Sequence, residues 1–151
     1  MNTQELEILI KDLAVLPKEC EWVEFKVNNS NPQEIGEYIS ALSNSACYHK
    51  KEFAYLVFGI DDSTHRLVGT EFRPLSVKKG NQELENWLVT QLNPRIDVNI
   101  FETEINKLHY AIFKIQATRN TIADTIKSGL IKDYDSESKS RKYAKYVPYW
   151  F

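Results

Sequence analysis

Residues that usually mark a zinc centre, a disulfide framework or a membrane segment are scarce in this sequence. Two cysteines, Cys20 and Cys47, and three histidines occur among 151 residues, and the cysteines form no Cys-x-x-Cys pair. These counts exclude a cysteine-based zinc site and a disulfide framework. No apolar run approaches the roughly 20 residues that cross a bilayer, and the acidic N-terminus is unlike a signal peptide. We therefore expect a reduced, cytoplasmic compartment and no membrane partner.

Glycine is also scarce, and the sequence contains neither a glycine-rich phosphate-binding loop nor a serine nucleophile motif. Gly59 and Gly69 form no phosphate-cradling loop, and no serine lies in the context of a nucleophile elbow. His49, His65 and His109 lack metal-ligand spacing. Nucleotide binding by a glycine-rich loop and catalysis by a serine nucleophile therefore have no support.

The chain has the composition of an ordinary globular domain, with 42% apolar and 26% charged residues. A net charge of −2 does not by itself indicate a nucleic-acid partner. The charge is unevenly distributed, however, because six acidic and two basic residues precede Phe25, whereas six basic and three acidic residues lie between Lys127 and Lys145. Such asymmetry is typical either of a nucleic-acid-binding arm or of a solvated surface tail.

Apolar periodicity and capping residues predict four helices. The second begins at Asn31 and Pro32, with Glu34 three residues past the cap. The predicted helices are 3–16, 32–47, 81–92 and 121–131.

Alternating and apolar runs predict five strands, which cover 21–27, 53–60, 66–72, 96–105 and 108–116. In the first strand Val23 and Phe25 share one face, while Glu24 and Lys26 share the other. Asn106-Lys107 joins the last two strands as a hairpin turn. The order predicts an α/β (α+β) fold, in which one domain (1–131) has a mixed β-sheet with covering helices and is followed by a basic and aromatic tail (132–151).

Acidic residues at the ends of two predicted strands form the first candidate site: Glu19, Glu21, Glu24, Asp61 and Asp62. Converging carboxylates could hold Mg²⁺ or Mn²⁺, which would polarise a phosphodiester and activate water. Glu19 and Glu24 would lie about 16 Å apart in a fully extended strand, so the chain must bend near Cys20 for them to share an ion. Alternatively, these residues are solvated or satisfy backbone donors in a turn.

A basic surface with interspersed aromatic rings forms the second candidate site. Basic side chains would neutralise phosphates, and exposed rings such as Trp22, Tyr48 and Tyr55 could stack on unpaired bases. Alternatively, the lysines solvate the surface and the aromatic residues belong to the core. The basic candidates are Lys26, Lys50, Lys51, Arg66, Lys78, Lys79 and Arg95.

The ordered series Glu-x-x-x-x-Glu-Phe-Lys from Glu19, Ile-Ser-Ala-x-x-Asn from Ile39, and Phe-Gly-Ile-Asp-Asp from Phe58, which Leu-Val-Gly follows, resembles the Schlafen AlbA domain over 19–116. The resemblance implies a nucleic-acid-binding module of bacterial regulators and eukaryotic Schlafen proteins. In the Schlafen ribonuclease branch, three carboxylates form the cleavage site, and they fall here on Glu19, Glu24 and Asp62. One departure is the segment 45–53, which is longer and bulkier than the Gly-Gly pair that family members usually have after the helix asparagine. The positive charges of Lys50 and Lys51 could replace the close backbone approach to a ligand that Gly-Gly would allow.

We interpret the chain as the DNA-binding module of a bacterial transcriptional-regulator-type protein. One alternative is a metal-dependent endoribonuclease that uses Glu19, Glu24 and Asp62, with Lys26 steadying the scissile phosphate. Another is a protein-interaction or homodimerisation module, which the near-neutral charge and the C-terminal aromatic residues favour. Those aromatic residues are Tyr146, Tyr149, Trp150 and Phe151.

Overall fold

The computed structural model describes residues 1–16, 20–93 and 95–118, together with the backbone of two short C-terminal strands. The predicted class is confirmed, since a mixed sheet with covering helices forms one small domain. None of the helices in these ranges is long and apolar enough to cross a membrane. The elements are α1 (Thr3–Ala14), β1 (Val23–Lys26), α2 (Pro32–Tyr48), β2 (Phe53–Phe58), a 3₁₀ turn (Pro74–Ser76), β3 (Lys78–Lys79), β4 (Gln82–Glu83), α3 (Leu84–Gln91), β5 (Val98–Ile105), β6 (Leu108–Gln116), β7 (Ile131–Asp133) and β8 (Tyr146–Pro148).

The main sheet has the strand order β1-β2-β6-β5, with β1 parallel to β2 and the other pairs antiparallel. Helix α2 provides the crossover that a parallel pair requires. At the end where β1 and β2 begin, which we call the amino edge, the Tyr55 N–H donates to the Trp22 carbonyl at 2.9 Å. At the carboxyl edge, where both strands end, the Gly59 N–H donates to the Lys26 carbonyl at 2.8 Å.

Each face of the sheet is covered by helix. On the α2 face, Ile35, Ile39 and Leu42 of α2 and Leu84 and Leu88 of α3 pack against one set of alternating strand residues. On the α1 face, Leu6, Ile10 and Leu13 pack against the other set. The strand residues on the α2 face include Ala54, Leu56, Phe58, Ala111, Phe113 and Ile115, and those on the α1 face include Val23, Phe25, Val57, Tyr110 and Ile112.

The caps of the first two helices follow from the sequence. Asn2 caps α1 in a reciprocal capping box with Glu5. Asn31 accepts from the backbone N–H groups of Gln33 and Glu34, and Pro32 occupies the first turn as predicted. Helix α2 therefore begins at the predicted position.

Two local predictions are wrong. The third helix begins at Leu84, with Glu83 and not Asn81 at the cap position, because Gln82–Glu83 first pairs with Lys78–Lys79 in a short hairpin. Residues 66–72 form no strand, and only Leu67 bridges to Ile60. Gly69 has a φ of 77° in this segment, and its N–H donates to the Gly59 carbonyl at 2.9 Å. The predicted helix 121–131 lies outside the described residues, except for Ile131, which begins β7.

Candidate nucleic-acid interface

Helix α2 ends at the amino edge in a lysine with left-handed backbone geometry. Lys50 has a φ of 56°, a conformation that glycine adopts readily and that other residues adopt at a steric cost. The Lys50 N–H donates to the Cys47 carbonyl at 3.1 Å, and the Lys51 N–H donates to the Ala46 carbonyl at 2.8 Å. These two bonds form a Schellman motif, which fixes the position of both lysines.

Aromatic rings surround the two lysines. The Lys51 ammonium lies 4.5 Å from the centroid of the Trp22 ring. The His49 ring lies 5.5 Å from Trp22 and 5.2 Å from Tyr48. Tyr48 is 68% exposed. We refer to Trp22, Tyr48, His49, Lys50 and Lys51 as the amino-edge cluster.

An acidic residue two positions before β1 contacts this cluster. Glu21 Oε2 lies 2.5 Å from His49 Nε2, which ties the end of α2 to the chain entering β1. Cys20 lies beside it as a half-buried free thiol, and burial raises the pKa of that thiol above its ordinary value. Lys50 and Lys51 are both exposed.

Lys26 lies on the α2 face near the carboxyl edge and is already paired. Its Nζ lies 2.6 Å from Glu24 Oε1 and 4.7 Å from the centroid of the Tyr38 ring. Burial alone would lower the pKa of Lys26, but the hydrogen bond and charge of Glu24, with a contribution from Tyr38, raise it. Glu24 therefore keeps Lys26 protonated, and its negative charge offsets much of the positive charge that Lys26 would present to a ligand.

Asp61 caps the turn after β2. Its Oδ1 accepts from the backbone N–H groups and the hydroxyls of Ser63 and Thr64 at 2.7 to 3.1 Å. Hydrogen bonds from these two residues lower the pKa of Asp61 to about 2. Asp61 thus has a structural role in the turn, and Asp62 beside it is exposed.

Two of the three predicted cleavage carboxylates, Glu24 and Asp62, lie among the described residues. Glu24 lies on the α2 face, whereas the turn that carries Asp62 packs against the α1 face, since His65 of that turn contacts Phe25 and the Ala14 carbonyl. Glu19 lies outside the described residues. In the part of the chain that the structure describes, no group of three His, Cys, Asp or Glu side chains could hold a metal ion. The metal assignment of Glu19, Glu24 and Asp62 stays a prediction.

The remaining predicted basic residues lie in other parts of the fold. Arg66 is exposed in the turn at the carboxyl edge. Lys78 and Lys79 are exposed on β3, with Lys79 Nζ 5.8 Å from the centroid of Trp87. Among the residues whose side chains the structure describes, only the amino-edge cluster combines two adjacent lysines with a highly exposed ring.

Sequence reasoning missed Lys114, whose Nζ lies 4.0 Å from the centroid of the Phe53 ring on the α1 face. The alternation of Phe53 and Tyr55 in β2 was a usable signal that these rings share a face. The register that sets Lys114 opposite Tyr55 depends on the pairing of β2 with β6, which no local pattern specifies.

Comparisons with known proteins agree with the predicted family. A family model described as Schlafen, AlbA_2 matches residues 19–145. Among solved structures, the chain is similar to the DIP2311 protein from Corynebacterium diphtheriae, with 16% sequence identity and a TM-score of 0.45. That match covers 77% of this chain and 23% of the other, so the chain spans about a quarter of that protein's length. No curated protein matches the chain.

Proposed function

This chain belongs to the Schlafen AlbA_2 family of nucleic-acid-associated domains, and we propose that it serves as the DNA-binding module of a bacterial transcriptional-regulator-type protein. The amino-edge cluster is the proposed contact with the phosphate backbone. Two lysines there could neutralise neighbouring phosphates, and Tyr48 could pack on a sugar or an accessible base.

The left-handed lysine is the observation that carries this proposal. A glycine at position 50 would close α2 without steric cost, whereas a non-glycine residue at this φ costs roughly 1 kcal/mol. Local strain of this kind is often found at functional sites, where a side chain has a role that offsets it. Here the side chain adds a second positive charge beside Lys51, at the segment where family members usually have Gly-Gly.

The charge balance of the described residues also favours this end of the fold. Lys26, the most central of the predicted basic residues, has its charge largely neutralised by Glu24 at 2.6 Å. Lys50 and Lys51 have no such carboxylate among the described ion pairs. Phosphate contacts release condensed counterions, so free lysines give the salt-dependent affinity that is typical of DNA-binding proteins.

Fluorescence anisotropy with labelled duplex DNA, measured over a range of salt concentrations, tests the proposal. Lys50→Gln/Lys51→Gln should weaken binding and reduce the slope of log K against log salt by about 2, which is roughly 0.9 for each lost phosphate contact. Lys11→Gln/Lys107→Gln removes the same charge elsewhere and should have a much smaller effect. Equal losses for the two variants, or no binding by the parent protein, would contradict the proposal.

Parallel samples with labelled RNA in Mn²⁺ or EDTA distinguish the alternatives. Cleavage that requires Mn²⁺ and is lost in Glu24→Gln/Asp62→Asn would replace the binding function with a ribonuclease. Self-association that is insensitive to salt, without binding to DNA or RNA, would favour the interaction-module alternative.

A further inference from the structure

Helix α1 packs mainly on the carboxyl-edge half of its sheet face. Its buried residues contact the cluster that contains Ile60, Ile105, Tyr110 and Ile112. Phe53, which begins β2 at the amino edge, belongs to neither core cluster and is half-buried. Tyr55 and Phe101 pack against the α1-face core as half-buried residues, so the amino-edge half of this face carries side chains that the core covers only in part.

Those side chains are three aromatic residues, one cation and two amides. Phe53 and Tyr55 alternate along β2, and Phe101 lies on the same face of β5. In the register of the sheet, Lys114 lies opposite both Tyr55 and Asn99, and Gln116 lies opposite Phe53. The three rings are half-buried, whereas Asn99 and Gln116 are exposed. We call these six residues the sheet platform.

Lys114 places a positive charge beside the rings of the sheet platform. Its Nζ lies 4.0 Å from the Phe53 centroid, and its strand position is directly opposite Tyr55. Burial, and to a smaller extent the charge of Glu52, raise the pKa of the Tyr55 phenol, so that group is neutral at physiological pH. A cation over the Phe53 ring, on a strand position opposite Tyr55, matches a ligand that has both a negative charge and aromatic planes.

An unpaired nucleic-acid strand has this combination of groups, whereas a duplex keeps its base faces stacked inside. Same-face residues in a strand are about 6.6 Å apart, at ~3.3 Å per residue, which leaves room for one base on each of Phe53 and Tyr55. Sheets with exposed aromatic residues bind single strands in this way in other RNA- and DNA-binding folds. Amide side chains such as those of Asn99 and Gln116 can bond base edges.

The sheet platform lies on the α1 face and the amino-edge cluster lies at the end of α2, and the two come close at the amino edge. Only Glu52 separates Lys51 from Phe53 along the chain. Trp22, whose ring contacts the Lys51 ammonium, accepts from the Tyr55 N–H through its backbone carbonyl. A strand whose phosphates contact Lys50 and Lys51 could therefore continue directly onto the rings of β2.

We propose that the sheet platform binds an unpaired segment of the nucleic acid, by stacking bases on Phe53 and Tyr55 and by contacting a phosphate through Lys114. This inference rests on the proposed function and specifies its substrate class as DNA with a single-stranded region next to the segment held by the amino-edge cluster. The protein would then bind a duplex with an unpaired tail more tightly than the same duplex with blunt ends.

Three fluorescently labelled probes that share one duplex test this inference by anisotropy. The first is blunt, the second carries a short oligothymidine tail, and the third carries a tail of equal length made of abasic nucleotides. The thymidine tail should increase affinity about tenfold for each stacked base, and the abasic tail, which has the same charge, should increase it far less. Glu52→Gln should strengthen binding of the thymidine tail, because it removes a nearby negative charge.

A pair of matched variants separates stacking from folding. Phe53→Leu/Tyr55→Leu retains apolar side chains and should lose the gain from the thymidine tail while keeping the affinity for blunt duplex. Tyr38→Leu removes a half-buried ring from the α2 face and should keep that gain. The comparison of thymidine and abasic tails uses the unaltered protein and remains decisive if the double variant does not fold.

The outcomes distinguish this inference from the proposed function. Salt-sensitive binding of the blunt duplex with equal affinity for all three probes would overturn the sheet platform and leave the DNA-binding proposal intact. Equal gains from the thymidine and abasic tails would also overturn it, because charge alone would explain them. Absence of binding to all three probes would overturn both.

Discussion

The backbone N–H of Lys51 lies 2.8 Å from the Ala46 carbonyl oxygen, and this bond closes α2 across the left-handed Lys50. The bond depends on backbone geometry and not on the lysine side chain, so the fold requires only a residue that tolerates positive φ at position 50. Stability and binding should therefore respond in opposite directions to a glycine at this position.

Lys50→Gly should raise the free energy of unfolding by roughly 0.5 to 1 kcal/mol, because relief of the left-handed strain outweighs the greater freedom of glycine in the unfolded chain. The same change should weaken DNA binding and reduce the salt slope by about 0.9. Urea unfolding and anisotropy measure the two effects. A variant that gains stability and binds DNA with unchanged affinity would remove the main support for the amino-edge cluster.

The fold requires a glycine at position 59, for a reason that the sequence does not reveal. It has a φ of 111°, and a Cβ placed there would lie 2.5 Å from Cδ1 of Tyr110, whose ring is fully buried. Gly59→Ala should therefore destabilise the domain by roughly 3 kcal/mol or more, through overpacking combined with backbone strain.

Gly80→Ala is the matched control for that change, because Gly80 also has a positive φ (62°) but no atom within 4 Å of the added Cβ. It should cost only about 1 kcal/mol, the strain alone. Thermal or urea unfolding of both variants would separate the two contributions. Similar losses would show that backbone strain, and not contact with Tyr110, governs position 59.

Because Glu24 pairs with Lys26, the substitution Glu24→Gln distinguishes DNA binding from metal-dependent cleavage. If Glu24 only neutralises Lys26, then Glu24→Gln frees a positive charge near the carboxyl edge and should leave DNA affinity unchanged or raise it severalfold at low salt. If Glu24 binds a catalytic ion, the same variant should abolish Mn²⁺-dependent cleavage. We expect the first result, and titration of labelled DNA and RNA in both metal conditions would identify it.

Much of the fold could be predicted because local chemistry specifies it. Asn31 and Pro32 mark the start of α2 by capping, and the alternation of Val23 and Phe25 identifies the buried face of β1. The hairpin turn at Asn106-Lys107 was also predictable, and both residues have the positive φ that a two-residue turn requires.

Features that depend on tertiary contacts could not be predicted in the same way. The stretch 66–72 has strand-like residues but forms no strand, and its Thr70 hydroxyl bonds the Val27 carbonyl and the Asn28 side chain, which are distant in the sequence. The separation of Lys26, Lys50 and Lys78 onto different parts of the fold likewise depends on strand order. The adjacency of Lys50 and Lys51 was visible in the sequence, and that is the feature on which the candidate site depends.

The turn at Asp61 should make stability depend on pH in the acidic range. Its folded-state pKa of about 2 lies below the ordinary value of 3.8, so its ionised form binds the Ser63 and Thr64 donors more tightly when the chain is folded. A lowered pKa contributes stability that is fully present above about pH 4 and is lost as the pH falls toward 2. Asp61→Asn keeps an oxygen acceptor but not the charge, and should remove this contribution from the pH profile.

Urea unfolding of the parent protein and of Asp61→Asn at several pH values between 2 and 7 measures this effect. The stability difference between the two should be largest near neutral pH and should shrink between pH 4 and pH 2. Ser63→Ala, which removes one hydroxyl donor to the same carboxylate, should show a smaller pH-dependent loss than the parent. A difference between parent and Asp61→Asn that stays constant over this range would mean that hydrogen-bond geometry, and not the ionised carboxylate, stabilises the turn.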